Sequence, residues 1–229
     1  MPSDDFGTGS PVLHWIPDAG ARRAITGFLF GATGATIAIS PLGKASGAHI
    51  NPLVTLAFYL KRKLHLRHAV FYVVAQCIGA VVGCLPLLLF GAMGRSVDFG
   101  ATVPGPAGAL WAVAGEALTT FALVALLFFF LGGKRLRAFT PLLFPFLYAL
   151  MVWLEAPISG TSTNLARSFG PAVVSGVWTS FWVYVVGPLV GTLLALWLHA
   201  ASWLQGFEIE VAKVYHFASD RHGVFKARR

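Results

Sequence analysis

Ser46-Gly47-Ala48-His49-Ile50-Asn51-Pro52-Leu53 and Ser159-Gly160-Thr161-Ser162-Thr163-Asn164-Leu165-Ala166-Arg167 decide the fold. Both read Ser-Gly, three residues, then Asn. Each leads into a short apolar stretch, Leu53 to Leu60 in the first and Ala166 to Val174 in the second. Asn is a favoured N-cap and Pro a favoured first helical residue, so Asn51-Pro52 opens a helix well. Asn164 can cap the second helix, although Leu165 lacks the preset φ of proline. At 1.5 Å per residue either stretch is only roughly 12–15 Å long, too short for about 30 Å of hydrocarbon. Asn-Pro alone is a common turn initiator; two copies at the head of two short apolar stretches carry more.

The rest of the chain supplies the solvent for these stretches. Of 229 residues, 56% are hydrophobic and 11% charged, with mean hydropathy +0.72. A soluble domain carries about 25% charged residues, so this chain belongs in lipid. Five apolar runs are long enough to cross, near 24–42, 68–91, 108–132, 138–156 and 175–201. The first 20 residues hold Asp4, Asp5 and Asp18 and lack a basic segment followed by an apolar one, so they do not read as a signal peptide. Cys77 and Cys84 share one apolar run, which argues against a disulfide between them and for packing. No nucleophile–base pair, metal-ligand cluster or phosphate loop appears, so an enzyme reading has no support and no cofactor is expected.

The net charge of +8 is distributed between the apolar runs, which argues against nucleic acid as a partner. Basic clusters fall at Lys61, Arg62, Lys63 and Arg67, at Lys134, Arg135 and Arg137, and along the tail at Lys213, Arg221, Lys226, Arg228 and Arg229. If 43–60 dips into the membrane and returns, and 157–174 does so from the other face, all three clusters share one side, as the positive-inside rule requires. The N-terminus is then outside and the C-terminus cytoplasmic. Re-entrant backbone survives in lipid only where protein buries it or water reaches it. Matching segments entering from opposite faces mark an inverted repeat with a site at the midplane. Two half-helix N-termini meeting there would bring partial positive charge and amide donors together, repelling cations and orienting the oxygens of neutral solutes.

The two segments resemble the paired Asn-Pro-Ala loops of the aquaporins, or major intrinsic proteins. Further support comes from Ser46-Gly47-Ala48-His49, from Ala166-Arg167-Ser168-Phe169-Gly170-Pro171, and from Tyr72 to Gly79 and Tyr184 to Gly191, which look like the family's third and sixth helices. The resemblance covers about residues 22–202. It implies an all-α membrane protein, an aquaporin-like right-handed helical bundle with two re-entrant half-helices, five full spans visible and six expected. The pore motifs would be Asn51, Pro52 and Leu53, and Asn164, Leu165 and Ala166. Leu53 departs from the family's Ala and Leu165 from its Pro; both asparagines are intact.

The same resemblance implies a constriction of four residues: Arg167, Thr161, Val152 and Phe30, with Gly31 as the rival to Phe30. Val152 falls where water-selective members carry His, so this wall is expected to be wider and more apolar. Glu116 lies mid-span, and the resemblance casts it as an acceptor anchoring the second dip rather than as a proton relay. Glu155, near the outer end of its span, reads as interfacial. His49 would line the inner mouth or pack.

The expected function is a passive channel for water or small uncharged solutes such as glycerol, urea, ammonia or a metalloid acid. The alternatives are a secondary transporter and a non-conducting truncated member. Residues 24–202 form the channel domain, with 24–107 an incomplete first repeat and 108–202 a complete second. Residues 1–23 form an N-terminal segment expected to be non-helical, and 203–229 a cytoplasmic tail, membrane-surface or disordered, with Trp203, Phe207 and Phe225. The family's first helix, which carries the counterpart of Glu116, is not seen in 1–23. A late start, a degraded gene or a five-span variant completed by a neighbour would account for that, the first two being favoured. Gly79-x-x-x-Gly83 and Gly187-x-x-x-Gly191 are expected to pack helices closely. The resemblance implies a homotetramer in the plasma (inner) membrane.

Overall fold

The structure, a computed structural model, describes residues 15–200, 209–217, 220 and 223–225. Residues 1–14, Trp203, Phe207, Arg221, Lys226, Arg228 and Arg229 lie outside these. Helix α1 (Ala19–Ile39) leads to the short α2 (Pro41–Ser46) and the half-helix α3 (Pro52–Leu60). Helix α4 (Leu66–Cys84) runs on into a 3-10 turn at Leu85–Phe90, and α5 (Ala92–Ser96) follows. Then come α6 (Ala109–Gly132), α7 (Thr140–Ser159), the half-helix α8 (Leu165–Ser175) and α9 (Val183–His199). Among the described residues, three helical stretches, Leu66–Phe90, Ala109–Gly132 and Arg137–Ser159, are long and apolar enough to cross a membrane, and α9 is a shorter apolar helix.

Two helix starts differ from the apolar runs, each for a local reason. Helix α1 begins at Ala19, ahead of Ala24, because the Asp18 carboxylate caps it, accepting from Ala21 N at 2.6 Å. Helix α9 begins at Val183 rather than near 175. Gly176 ends α8 at φ +74°, a left-handed stop that glycine adopts without strain, and the chain turns before resuming.

Glycines set the helix contacts. A methyl group added at Gly27 would sit 2.2 Å from Tyr148 O, and one at Gly31 would sit 2.3 Å from Phe144 O, so α1 lies backbone to backbone along α7. On the other side, a methyl at Gly191 would sit 2.2 Å from Ala117 O and one at Gly187 2.7 Å from Glu116 Cβ, which seats α9 on α6. The expected packing at Gly187-x-x-x-Gly191 is therefore present. The expected packing at Gly79-x-x-x-Gly83 is not: an added methyl at either glycine meets nothing within 4 Å.

That contrast exposes the repeat and its gap. Tyr72 Oη donates to Ser46 O at 2.6 Å, and Tyr184 Oη donates to Ser159 O at 2.7 Å, so each long helix grips the start of its own dip in the same way. Gly79 lies seven residues after Tyr72, as Gly191 lies seven after Tyr184. Gly191 meets α6; among the described residues no helix takes the matching place beside Gly79, and Ala75, Gly79 and Gly83 are exposed.

Among the described residues the largest buried apolar cluster lies where the tail meets the bundle. Phe58 of α3, Val124, Leu127 and Phe128 of α6 and Ala195 of α9 pack together, joined by Ile209, Val214 and Phe225 of the tail. Fully burying such a side chain stabilises by about 1.5–3 kcal/mol. The Arg137–Glu210 ion pair and the approach of Lys213 Nζ to Lys44 O put the α6–α7 connection, the α2 region and the tail at the same end.

Candidate functional site

Both half-helices start as their caps dictate. Asn51 is extended at φ −149° and its side-chain oxygen accepts from Leu53 N at 2.9 Å, with Pro52 in the first turn. Asn164 is extended at φ −151° and its oxygen accepts from Ala166 N at 3.0 Å and Arg167 N at 3.4 Å. Leu165 in place of proline therefore does not prevent the cap.

The two asparagines also clasp each other's loops. Asn51 Nδ2 donates to Thr163 O at 2.8 Å, and Asn164 Nδ2 donates to Ile50 O at 2.8 Å. Each amide carries two N–H groups, so one remains for another acceptor. Residues 48 and 50 of one loop, and 161 and 163 of the other, all have φ between 41° and 53°. This zigzag of left-handed residues, repeated in both loops, turns successive carbonyls in a way ordinary extended chain does not.

Glu116 secures the second loop. Its Oε1 accepts from Ser159 Oγ and Ser162 N, each at 2.6 Å, and its Oε2 accepts from Thr163 N at 2.7 Å. The side chain is fully buried, and these three donors stand in for water around the carboxylate. Among the described residues no carboxylate serves the first loop in this way.

Arg167 leaves the first turn of α8, and its Nη1 donates to Gly100 O at 2.8 Å. The loop carrying Gly100 docks on the second dip at two more points. Thr102 Oγ1 lies 2.7 Å from Ser168 Oγ, and Gly105 N donates to Ile158 O at 2.8 Å. Nothing in the composition of residues 98–105 marked this loop; it is recognised only from the contacts. Thr161 Oγ1 donates to Glu155 Oε2 at 2.5 Å. Glu155, expected near the outer end of its span, turns into the protein: it is 6% exposed and fills the notch left by Gly115, where a methyl would sit 2.3 Å from Glu155 Oε1.

Val152 is buried against Gly27. Phe30 lies about one turn along α1, with its ring 5.1 Å from that of Tyr148. Tyr148 Oη in turn lies 2.9 Å from Thr163 Oγ1. Phe30 accordingly groups with the asparagine pair, lining one cavity with them, and neither Arg167 nor Thr161 is among the residues that line it. Gly31, the rival, lies against Phe144 O and lines the same cavity as Phe30.

A cavity of about 220 Å³ begins at Asn51 and Asn164 and extends past Phe30, His49 and Leu127 to Val214. Its wall is mainly apolar, with Thr33, His49, Asn51, Tyr148 and Asn164 as its residues with polar side chains. His49 both packs and lines it. Its ring stacks on Phe58, with centroids 4.7 Å apart. Nε2 lies 2.8 Å from Ala212 O and Nδ1 lies 3.1 Å from Thr55 Oγ1. A carbonyl only accepts, so Nε2 carries the proton in this arrangement. Among the described residues no group of His, Cys, Asp and Glu could hold a metal ion.

Long apolar helices wrapped around two abutting half-helices define an integral membrane protein of the aquaporin-like fold. The family model for the major intrinsic proteins matches residues 20–199, and the chain belongs to that family. Aquaporin TIP2-3 of Arabidopsis thaliana is 37% identical over 175 residues, covering 75% of this chain and 69% of the relative. Aquaporin-4 of Homo sapiens is 38% identical over 174 residues, covering 72% of this chain and 52% of the relative. Among solved structures, the aquaglyceroporin from Plasmodium falciparum aligns with TM-score 0.55 and 18% identity, covering 85% of this chain and 97% of that one. At that identity the likeness speaks for the fold.

Proposed function

We propose that this chain is a passive channel for water and small uncharged solutes, and that the solute passes between Asn51 and Asn164. One observation carries the reading. Each asparagine gives one amide N–H to the opposite loop and caps its own half-helix through its oxygen, so a second N–H is held rigidly for a passing oxygen. The two helix N-termini add partial positive charge at the same point, which opposes cations and protons. Glu116 spends its oxygens on three donors of the second loop, and this supports anchoring over proton coupling.

In this reading Arg167, Thr161 and Val152 set selectivity, Arg167 through its guanidinium donors and Val152 through the room it leaves, while Phe30 lines the path beside the asparagines. Glycerol, urea, ammonia or a neutral metalloid acid would then pass as well as water. The basic end of the bundle, with the tail, faces the cytoplasm of a plasma (inner) membrane, and four copies assemble with a pore in each.

The test is stopped-flow osmometry of vesicles carrying the full chain against empty vesicles, with water and a panel of neutral solutes. Flux above the empty-vesicle rate is expected, and Val152→His should lower solute uptake more than water uptake. An unchanged ratio in Val152→His would remove Val152 from the filter while leaving the channel reading intact.

A further inference from the structure

The mixed composition of the tail gives no sign of what the tail does. In the structure its described part returns across the end of the cavity and is tied there by both backbone and side-chain groups. Val214 N donates to Gly47 O at 2.9 Å, and Ala212 O accepts from His49 Nε2 at 2.8 Å. Lys213 Nζ donates to Lys44 O at 2.9 Å and stands 4.9 Å from the centre of the Phe225 ring. Ala212 N donates to Phe225 O at 3.2 Å, and the Phe225 ring lies edge-on to Tyr72 at 6.3 Å. Val214 itself forms part of the cavity wall.

We propose that the segment at residues 209–217, backed by Phe225, is a self-inhibitory strap that closes the end of the cavity remote from the asparagine pair, and that its release opens the path. The proposal rests on the channel reading above. The strap touches the first re-entrant loop at Lys44, Gly47 and His49, the residues that lead into Asn51, so what it covers is the approach to the amide donors.

Its attachment suits a reversible part. The apolar burial of Ile209, Ala212, Val214 and Phe225, with Val211, Tyr215, Phe217 and Val224 packed beside them, is opposed by the entropy of ordering a whole stretch of backbone. The carbonyls of Lys44 and Gly47 can exchange the strap's donors for water when it leaves. At the rim, Glu210 pairs with Arg137 at 2.9 Å, with the two side chains 55% and 30% exposed, and the Arg137 guanidinium lies 5.2 Å from the Phe217 ring. An ion pair this exposed is weak and screened by salt, and so makes a release point.

The measurement is osmotic water permeability of vesicles at matched protein density, comparing the full chain with a chain ending at residue 208. Circular dichroism and gel filtration of both confirm folding. A several-fold rise on deletion is expected. Glu210→Ala in the full-length chain should move permeability the same way, and the swap Arg137→Glu with Glu210→Arg should bring it back. Equal or lower permeability in the shortened chain would overturn the strap and leave the channel reading standing. No flux from either chain would overturn both. If the shortened chain does not fold, Glu210→Ala and Val214→Asp decide: permeability unchanged in both refutes the strap.

Discussion

Glu116 reaches Asn51 through a single residue. Thr163 gives its N–H to Glu116 Oε2 at 2.7 Å, and its carbonyl accepts Asn51 Nδ2 at 2.8 Å. A carboxylate in one helix thereby fixes the orientation of an amide in the other half of the molecule.

Glu116→Gln keeps the volume but turns one acceptor into a donor facing backbone N–H groups. Each buried group left unsatisfied costs about 1–3 kcal/mol. The variant should melt lower in detergent, and its water flux should fall further than its folded fraction does, because Asn51 loses its fixed partner. Wild-type flux together with a wild-type melting curve would count against the anchoring role.

Capping and donation can be separated at Asn164. Asn164→Asp retains an oxygen for Ala166 N and Arg167 N but has no N–H for Ile50 O. Asn164→Ala loses both, at a capping cost of about 1 kcal/mol. Thermal melting should therefore rank Asp above Ala, while stopped-flow water permeability should be strongly reduced in both. If the Asp variant conducts as the native chain does, the amide donor is not needed.

The two halves of the repeat offer an internal control in glycine. Gly191→Ala places a methyl 2.2 Å from Ala117 O, and forcing the helices apart should cost about 1–3 kcal/mol. Gly79→Ala, at the matching position, enters open space and should be neutral or stabilising by up to about 1 kcal/mol, the helix-propensity difference. Melting curves of the two variants side by side check this; equal destabilisation would mean that the face bearing Gly79 is covered.

Much of the fold was legible because the apolar runs are long and the two Asn motifs repeat. The starts at Pro52 and Leu165, the inward carboxylate of Glu116 and the seat of Gly191 all follow from local rules of capping, burial and small-residue packing. What stayed hidden was long-range. Glu155 looked interfacial because its place along α7 is near an end; only the absent side chain at Gly115 makes room for it. Gly79 and Gly83 have the spacing of a packing motif, but spacing does not say whether a partner is present. The strap escaped notice because several of its ties, Val214 N to Gly47 O, His49 Nε2 to Ala212 O and Ala212 N to Phe225 O, use backbone groups that nearly every residue carries.

The crossed grip of the asparagines also has a consequence for the order of synthesis. The acceptor for Asn51 lies 112 residues downstream and the donor to Ile50 lies 114 downstream. When the first loop leaves the ribosome the Asn51 amide has no cross-loop partner, and that bond waits until α6, α7 and the second loop have been made. Such distant closures are slow to form. Maturation of the midline is thus a late event, and a nascent chain arrested before Thr163 would carry a waist that has not yet been tied.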